Sequence, residues 1–362
     1  MSMNIFRNTG IKCSLSFMAF LLCHPLVQAY EIDPDATIYD SPTTLLGVNH
    51  IGLSVRNLDA SLDFYQKASG FKLIRREVVR NSAAADKLFG RAGVEYEIAV
   101  LEAPNMLFEL IEFSHNRDTP ISKMPVQGPG MTHTCFQTPA ELSGYDKFKR
   151  AGAEVLSRGE GPVDLLGQGV TYAYAYDPEG NMIELEQLDS NLLDQSAEKS
   201  KWLGQDLNMW VTQVALVTHD IERLTDYYAK ILAFDPYREA AIDSRITFDE
   251  VTDIDNMGLL ATWFRMNERS KTLEFWEYTN PKTSEFVGNR LSTALGYSYS
   301  IEVGDIQAEF ARMADLGVKF VSEPVLLDGF WQAYANDIDG NVFSLRQAAD
   351  PDSPYSVPQL EL

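Results

Sequence analysis

The chain has 362 residues, 45% of them hydrophobic and 23% charged, an ordinary globular composition with room for two or three folded units. Its formal net charge of -22 argues against a nucleic acid or an anionic membrane surface as partner, because both need a basic face. An acidic surface of this kind keeps a protein soluble and identifies no substrate.

Residues 1–29 read as an export signal. Arg7 and Lys12 supply a short positive start, Cys13 to Val27 an apolar stretch, and Val27-Gln28-Ala29 a small-residue cleavage site before Tyr30. The stretch is short for a membrane span, and bulky Leu22 ahead of Cys23 argues against lipoprotein processing. An uncleaved anchor is the alternative. Either way the folded part is expected outside the cytoplasm, periplasmic or secreted, with no stable membrane insertion once the signal is removed. Of three cysteines only Cys135 outlasts the signal, so an internal disulfide is ruled out. It lies two residues past His133 on one strand, shares that face, and is expected as a buried, inert thiol.

Residues 30–44 form a polar leader. From residue 45 the chain repeats itself. Val48 to Tyr65 reads VNHIGLSVRNLDASLDFY and Val211 to Tyr228 reads VTQVALVTHDIERLTDYY, each an alternating strand, a polar turn and an amphipathic helix. Residues 75–93 are long for a hairpin connection and carry Arg75, Arg76, Arg80, Lys87 and Arg91 around a short helix near Ser82 to Phe89. Long connections of this kind cover sites, and the basic side chains suit an anionic substrate group or plain solvation. His133 starts a second strand–helix–strands unit, with its helix near Tyr145 to Ala151 and return strands near Tyr172 to Tyr176 and Met182 to Gln187. The turn DPEGN at Asp177 to Asn181 matches DIDGN at Asp337 to Asn341. The second half divides similarly around Tyr299. The expected fold class is α+β, four βαβββ modules in two pairs, each pair closing its own sheet. The expected boundaries are 45–190 and 207–348, joined by a polar linker at 191–206 and followed by a tail at 349–362.

Four residues fall where a metal needs them: His50, Glu109, His133 and Glu184, each in an apolar, strand-like run. Imidazole and carboxylate suit first-row divalent ions. Alternation aims each ligand at one sheet face while Phe108, Leu110, Ile183 and Leu185 face the other. A lone histidine on a strand is ordinary, but a carboxylate in an apolar strand is costly unless it has a partner. One divalent metal per chain (Ni, Zn, Mn, Co or Fe) is expected. The second half keeps less of the set. Gln213 stands at the His50 position, Glu274 at the Glu109 position, Tyr299 at the His133 position and Ser344 at the Glu184 position, so a degenerate site is expected there. His115 and His219 lie beyond strand ends.

The segments NHIGLSVRNLDASLDFYQKASGFKL, LFELIEF, THTCF and DPEGNMIELEQ resemble the vicinal oxygen chelate superfamily, which includes glyoxalase I, methylmalonyl-CoA epimerase, bleomycin and fosfomycin resistance proteins and extradiol dioxygenases. The resemblance covers nearly all of residues 45–348. It implies two glyoxalase-like domains, with His50, Glu109, His133 and Glu184 as ligands of one metal that chelates two adjacent oxygens of a small-molecule substrate. It also implies proton transfer by Glu184, with Glu109 as ligand or partner base, in a lyase, isomerase or epimerase reaction. Two alternatives stay open. One is a ring-cleaving Fe(II) dioxygenase built on His50, His133 and Glu184. The other is a binding protein without catalysis.

Overall fold

The computed structural model describes residues 27–30, 36–189, 209–267, 272–285 and 295–360. The expected linker and most of the export signal lie outside the described residues. The first strand, β1 (Val27–Tyr30), precedes four modules of one plan. Module 1 runs β2 (Leu45–Val55), helix Leu58–Ser69, β3 (Lys72–Val79), helix Ala83–Leu88, β4 (Tyr96–Glu102) and β5 (Leu107–Phe113). Module 2 runs β6 (Gly130–Pro139), helix Gly144–Ala151, β7 (Glu154–Val155), β8 (Val163–Asp164), β9 (Val170–Tyr176) and β10 (Met182–Leu188). Module 3 runs β11 (Trp210–Val217), helix Ile221–Leu232, β12 (Arg238–Ile242), helix Ile246–Thr252, β13 (Gly258–Arg265) and β14 (Thr272–Asn280). Module 4 runs β15 (Gly296–Val303), helix Ile306–Asp315, β16 (Lys319–Phe320), β17 (Val325–Leu327), β18 (Phe330–Asn336) and β19 (Val342–Ala348).

Local chemistry sets these elements. After the first strand of modules 1, 3 and 4, the side chains of Asn57, Asp220 and Asp305 accept the amides of Ala60, Arg223 and Ala308. Each thereby satisfies a helix-start donor that would otherwise lack a partner. In the turn before β10, one Asp177 oxygen accepts the amides of Glu179 and Asn181; Asp337 does the same before β19 for Asp339 and Asn341. Gly180 sits at φ 84°, and a Cβ there would come within 3.1 Å of the Ser122 carbonyl oxygen. Only glycine meets both conditions.

The modules do not pair as neighbours in sequence. One sheet runs β1-β12-β13-β14-β11-β6-β10-β9-β7 and the other β16-β18-β19-β15-β2-β5-β4-β3. The first joins module 3 to module 2 through the antiparallel pair β11·β6; the second joins module 4 to module 1 through β15·β2. This corrects the expectation that residues 45–190 and 207–348 each close a sheet of their own. Both sheets span the boundary between the halves.

Strand alternation then divides the sheet faces. Phe108, Leu110, Phe136, Ile183, Leu185, Leu273 and Phe275 join helix residues such as Phe64, Phe148, Tyr228 and Met313 in one buried cluster spanning all four modules. Each large side chain of this set contributes about 1.5–3 kcal/mol by leaving water. The opposite faces carry His50 and Glu109 on one sheet, and His133 and Glu184 on the other.

Candidate metal centre

The structure separates the expected quartet into two pairs. His133 and Glu184 come together with Gln213 and Glu274 of module 3. His50 and Glu109 lie in the other sheet and meet Arg346 of module 4. The reason is topological: a module can supply two ligands at most, and its partner across the antiparallel strand pair supplies the rest. Here the partner of module 2 is module 3, not module 1.

In the first centre, ligand atoms of His133, Glu184 and Glu274 lie within 4.8 Å of one another, all buried. The His133 Nε2 stands 3.9 Å from one oxygen of each carboxylate. Gln213 donates from its amide to Glu184 at 2.5 Å and to Glu274 at 3.4 Å. Glu274 is further held through its other oxygen by the Trp263 indole N–H at 2.6 Å. Register explains the symmetry. Glu184 lies two residues past the β10 residue that pairs with His133, and Glu274 two residues past the β14 residue that pairs with Gln213.

Thr132 prepares the imidazole. Its hydroxyl lies 3.0 Å from His133 Nδ1 and donates to the Ala215 carbonyl at 3.5 Å. A hydroxyl that donates onward can accept from Nδ1–H, the tautomer that leaves Nε2 as a lone pair. That Nε2 is buried without a hydrogen-bond partner among the described residues. Burial lowers the His133 pKa to about 3, so the ring is neutral near pH 7. Burial raises the Glu274 carboxyl to about 7. Burial, and then the facing Glu274, push Glu184 well above the ordinary range. Two carboxylates facing each other beside an unpartnered imidazole nitrogen form a donor set whose chemistry fits a divalent metal.

The centre opens into a cavity of about 670 Å³, within the size range of small-molecule sites. Tyr172, Tyr174, Trp263 and Trp276 form aromatic walls, and Phe248 and Val251 of the helix Ile246–Thr252 close one side. Cys135 is fully buried nearby with its thiol 3.5 Å from Glu186, and burial pushes it well above the usual thiol range, which matches an inert thiol.

The second centre is closed. His50 Nε2 lies 3.2 Å from Glu109, and the Arg346 guanidinium lies 3.0 Å from Glu109 and 3.0 Å from His50 Nδ1. Asn49 also reaches Nδ1, at 3.1 Å. Burial lowers His50 to about 4. Burial pushes Glu109 up, but the adjacent His50 and Arg346 outweigh it and hold its carboxyl below the ordinary value. The space left is about 20 Å³. Glu109 therefore serves here as the buried partner of an arginine, which corrects the expectation of Glu109 as ligand or base beside Glu184.

Two further expectations change. Ser298 and Ser344, not Tyr299 and Ser344, occupy the ligand positions of module 4: Tyr299 pairs with Ile51 and faces the core, where its hydroxyl meets Tyr228 at 2.7 Å. The basic connection 75–93 does form a helix, Ala83–Leu88, and Leu88 and Phe89 roof the closed centre rather than the open one. Arg75 pairs with Asp328, Arg76 with Asp59 and Glu97, and Lys87 with Glu323, so these cations are spent on the protein itself. The tail packs as well: Tyr355 accepts from Asn49, and Leu360 is buried beside β5 residues Leu107 and Ile111. His115 and His219 are exposed.

Sequence reasoning placed Gln213 and Glu274 at ligand positions but assigned them to a degenerate second site. The repeat alignment was the signal; the pairing of modules was missing. Thr132 and Asn49 share a readable signal, a polar residue directly ahead of the histidine. Trp263 carried none.

Comparison with known proteins agrees with this architecture. The family described as Glyoxalase/Bleomycin resistance protein/Dioxygenase superfamily matches residues 47–185. A lactoylglutathione lyase of Neisseria meningitidis is 32% identical over 142 residues, 39% of this chain and 90% of its own length. An ethylmalonyl-CoA/methylmalonyl-CoA epimerase of Cereibacter sphaeroides is 26% identical over 145 residues, 39% of this chain and 97% of its own. Glyoxalase I from Zea mays superposes with a TM-score of 0.54 at 20% identity, covering 86% of this chain and 94% of that one, and shares the fold across both halves. On its module plan and these likenesses, the chain belongs to the Glyoxalase/Bleomycin resistance protein/Dioxygenase superfamily.

Proposed function

We propose that this chain is a divalent-metal-dependent enzyme of the lyase, isomerase or epimerase kind, moving a proton at a carbon next to a carbonyl. The observation that carries the reading is the pairing of two buried carboxylates, Glu184 and Glu274, beside the bare Nε2 of His133 on the floor of an open cavity. His133, Glu184 and Glu274 would hold the ion, which when bound polarises two adjacent substrate oxygens and stabilises the anion formed by proton loss.

The chain's own groups do the rest. Glu184 is the base, as its motif suggested, and Glu274 takes the partner role first assigned to Glu109. Of two carboxylates on pseudo-symmetric strands, one can take the proton from the substrate carbon and the other, protonated, can deliver a proton to the opposite face of the planar anion that results. Gln213 and Trp263 fix their orientation through hydrogen bonds at 2.5 and 2.6 Å. The aromatic walls give the carboxylates a low-dielectric surround, which strengthens the electrostatic contacts beside them. Relatives named as an epimerase and as lyases support this class. A two-histidine, one-carboxylate triad is not assembled, since His50 lies in the other sheet, and this favours proton transfer over ring cleavage.

The protein is further proposed to be exported, on the signal-like residues 1–29. Cleavage after Ala29 would remove most of β1 and leave β12 as the sheet edge. Among the described residues no helix is long and apolar enough to cross a membrane.

The test combines metal analysis with solvent deuterium exchange. Purified protein reconstituted with Ni, Zn, Mn, Co or Fe should hold one ion per chain and exchange hydrogen for deuterium next to the carbonyl of some 2-hydroxy- or 2-oxo-carbonyl compounds. One ion with no exchange across a broad panel would point to a binding protein, and oxygen uptake with catechols would point to the dioxygenase.

A further inference from the structure

The cavity carries a charged feature that the proton chemistry does not use. Arg238, Trp263 and Glu274 form one row across three adjacent strands, since Arg238 pairs with Trp263 and Trp263 with Glu274. Arg238 lays its guanidinium over the Trp263 ring, 4.4 Å from the centroid, and lines the cavity half-buried. On the same sheet face Arg265 lies over the Tyr237 ring at 4.3 Å and also lines the cavity.

In a chain with 52 acidic against 30 basic residues, an arginine readily finds a carboxylate. Arg56, Arg75, Arg76, Arg117, Arg158 and Arg223 all do. Arg238 makes no ion pair among the described residues, although it faces a cavity. Stacking on an indole fixes the plane of the guanidinium and leaves its N–H edge for an acceptor. Neighbouring strands lie about 4.8 Å apart, so this guanidinium stands one to two strand spacings, about 5–10 Å, from Glu274.

We infer that the cavity selects a substrate bearing a distal anionic oxygen group, a carboxylate or phosphate type, anchored by Arg238 about 5–10 Å from the oxygens that react at Glu184 and Glu274. Arg238 is thus a specificity residue of the site assigned above, and the inference rests on that assignment. The aromatic walls take the apolar span between the two ends. A substrate whose only anionic group lies at the reacting end leaves Arg238 without a partner. One with a much longer linker overshoots it.

Binding of 2-oxoadipate, its 5-phosphono analogue and the length-matched 2-oxohexanoate to the metal-reconstituted protein tests this, by calorimetry and quenching of tryptophan emission, with metal content measured on every sample. A charge-assisted contact predicts that 2-oxoadipate or the phosphono compound binds on the order of tenfold to a hundredfold more tightly than 2-oxohexanoate. Arg238→Gln should erase that preference while keeping the metal and holding 2-oxohexanoate affinity within about twofold. Arg238→Lys, which keeps the charge without the planar fork, should retain part of it. Equal affinity for diacid and monoacid in the wild type, or a preference that survives Arg238→Gln, overturns the inference. Loss of the metal alone is a separate failure: an anion preference that persists without metal upholds the Arg238 subsite and sinks the metal assignment.

Discussion

Two pseudo-equivalent centres occupy the outer faces of the two sheets, and they have diverged in opposite directions. At the module 2–3 centre no arginine or lysine among the described residues forms an ion pair with the two glutamates, and about 670 Å³ of space adjoins them. At the module 1–4 centre the chain supplies its own cation, Arg346, and the space shrinks to about 20 Å³. A buried carboxylate must be neutralised somehow. At one centre burial raises both carboxyls toward protonation, and at the other an arginine of the chain pairs with the carboxylate. The helix Ala83–Leu88 and the C-terminal tail then pack over the completed centre, which has no need of access.

The sharpest way to break this comparison is to exchange histidines for alanine. His133→Ala should abolish metal binding, a loss beyond the ~10–100-fold expected for removing a mere supporting group, whereas His50→Ala should leave one ion per chain, both read by metal analysis. An ion lost with His50 and kept without His133 would reverse the assignment of the two centres. Next in size, Arg346→Met should strand Glu109 and destabilise the fold by about 3–5 kcal/mol, with metal content unchanged. Adding Glu109→Gln should recover much of that stability in denaturant titrations. If the single variant costs nothing, Arg346 is not the internal cation.

Thr132→Val keeps volume but removes the acceptor on His133 Nδ1. A loss of about 10–100-fold in metal affinity is expected, and an unchanged affinity in competition with a chelator would show that the tautomer is set otherwise. The smallest effect is on pH dependence. Both histidines have folded pKa values below the unfolded 6.5, to about 4 for His50 and about 3 for His133. Their contribution to stability is therefore full above pH 6.5 and is lost as pH falls from there toward those values. Each contributes up to about 1.4 kcal/mol per pH unit. His50→Asn should remove one of these two slopes from the metal-free protein between pH 6 and 4.5, and His133→Asn the other. Bound metal holds His133 deprotonated, so its slope persists in the metal-loaded protein and His50→Asn should again remove only one of the two.

Much of this was legible in the chain. Alternation predicted which side of each strand faces the core, and Phe108, Leu110, Ile183 and Leu185 lie there. The two-residue offset between Gln213 and Ala215, or Thr272 and Glu274, is a property of strands and survives in any arrangement. Tyr299 shows how narrow the margin is. A one-residue offset in a divergent repeat moved the inferred ligand position from Ser298 to a side chain on the opposite face.

What the sequence by itself determined is the repertoire: four modules, a ligand pair on each of the first three, and the face each pair occupies. These follow from backbone periodicity, turn chemistry and the cost of burying a lone carboxylate, all of them local. Which pairs meet was decided only by the tertiary structure. The choice between pairing module 2 with module 1 or with module 3 rests on the antiparallel contacts β6·β11 and β2·β15 and on the core packed behind all four modules. Alternating strands of similar length offer either pairing the same edge, so the local pattern alone does not distinguish them. That choice joined Glu274 to His133, gave Glu109 to Arg346, and left one of the two centres open.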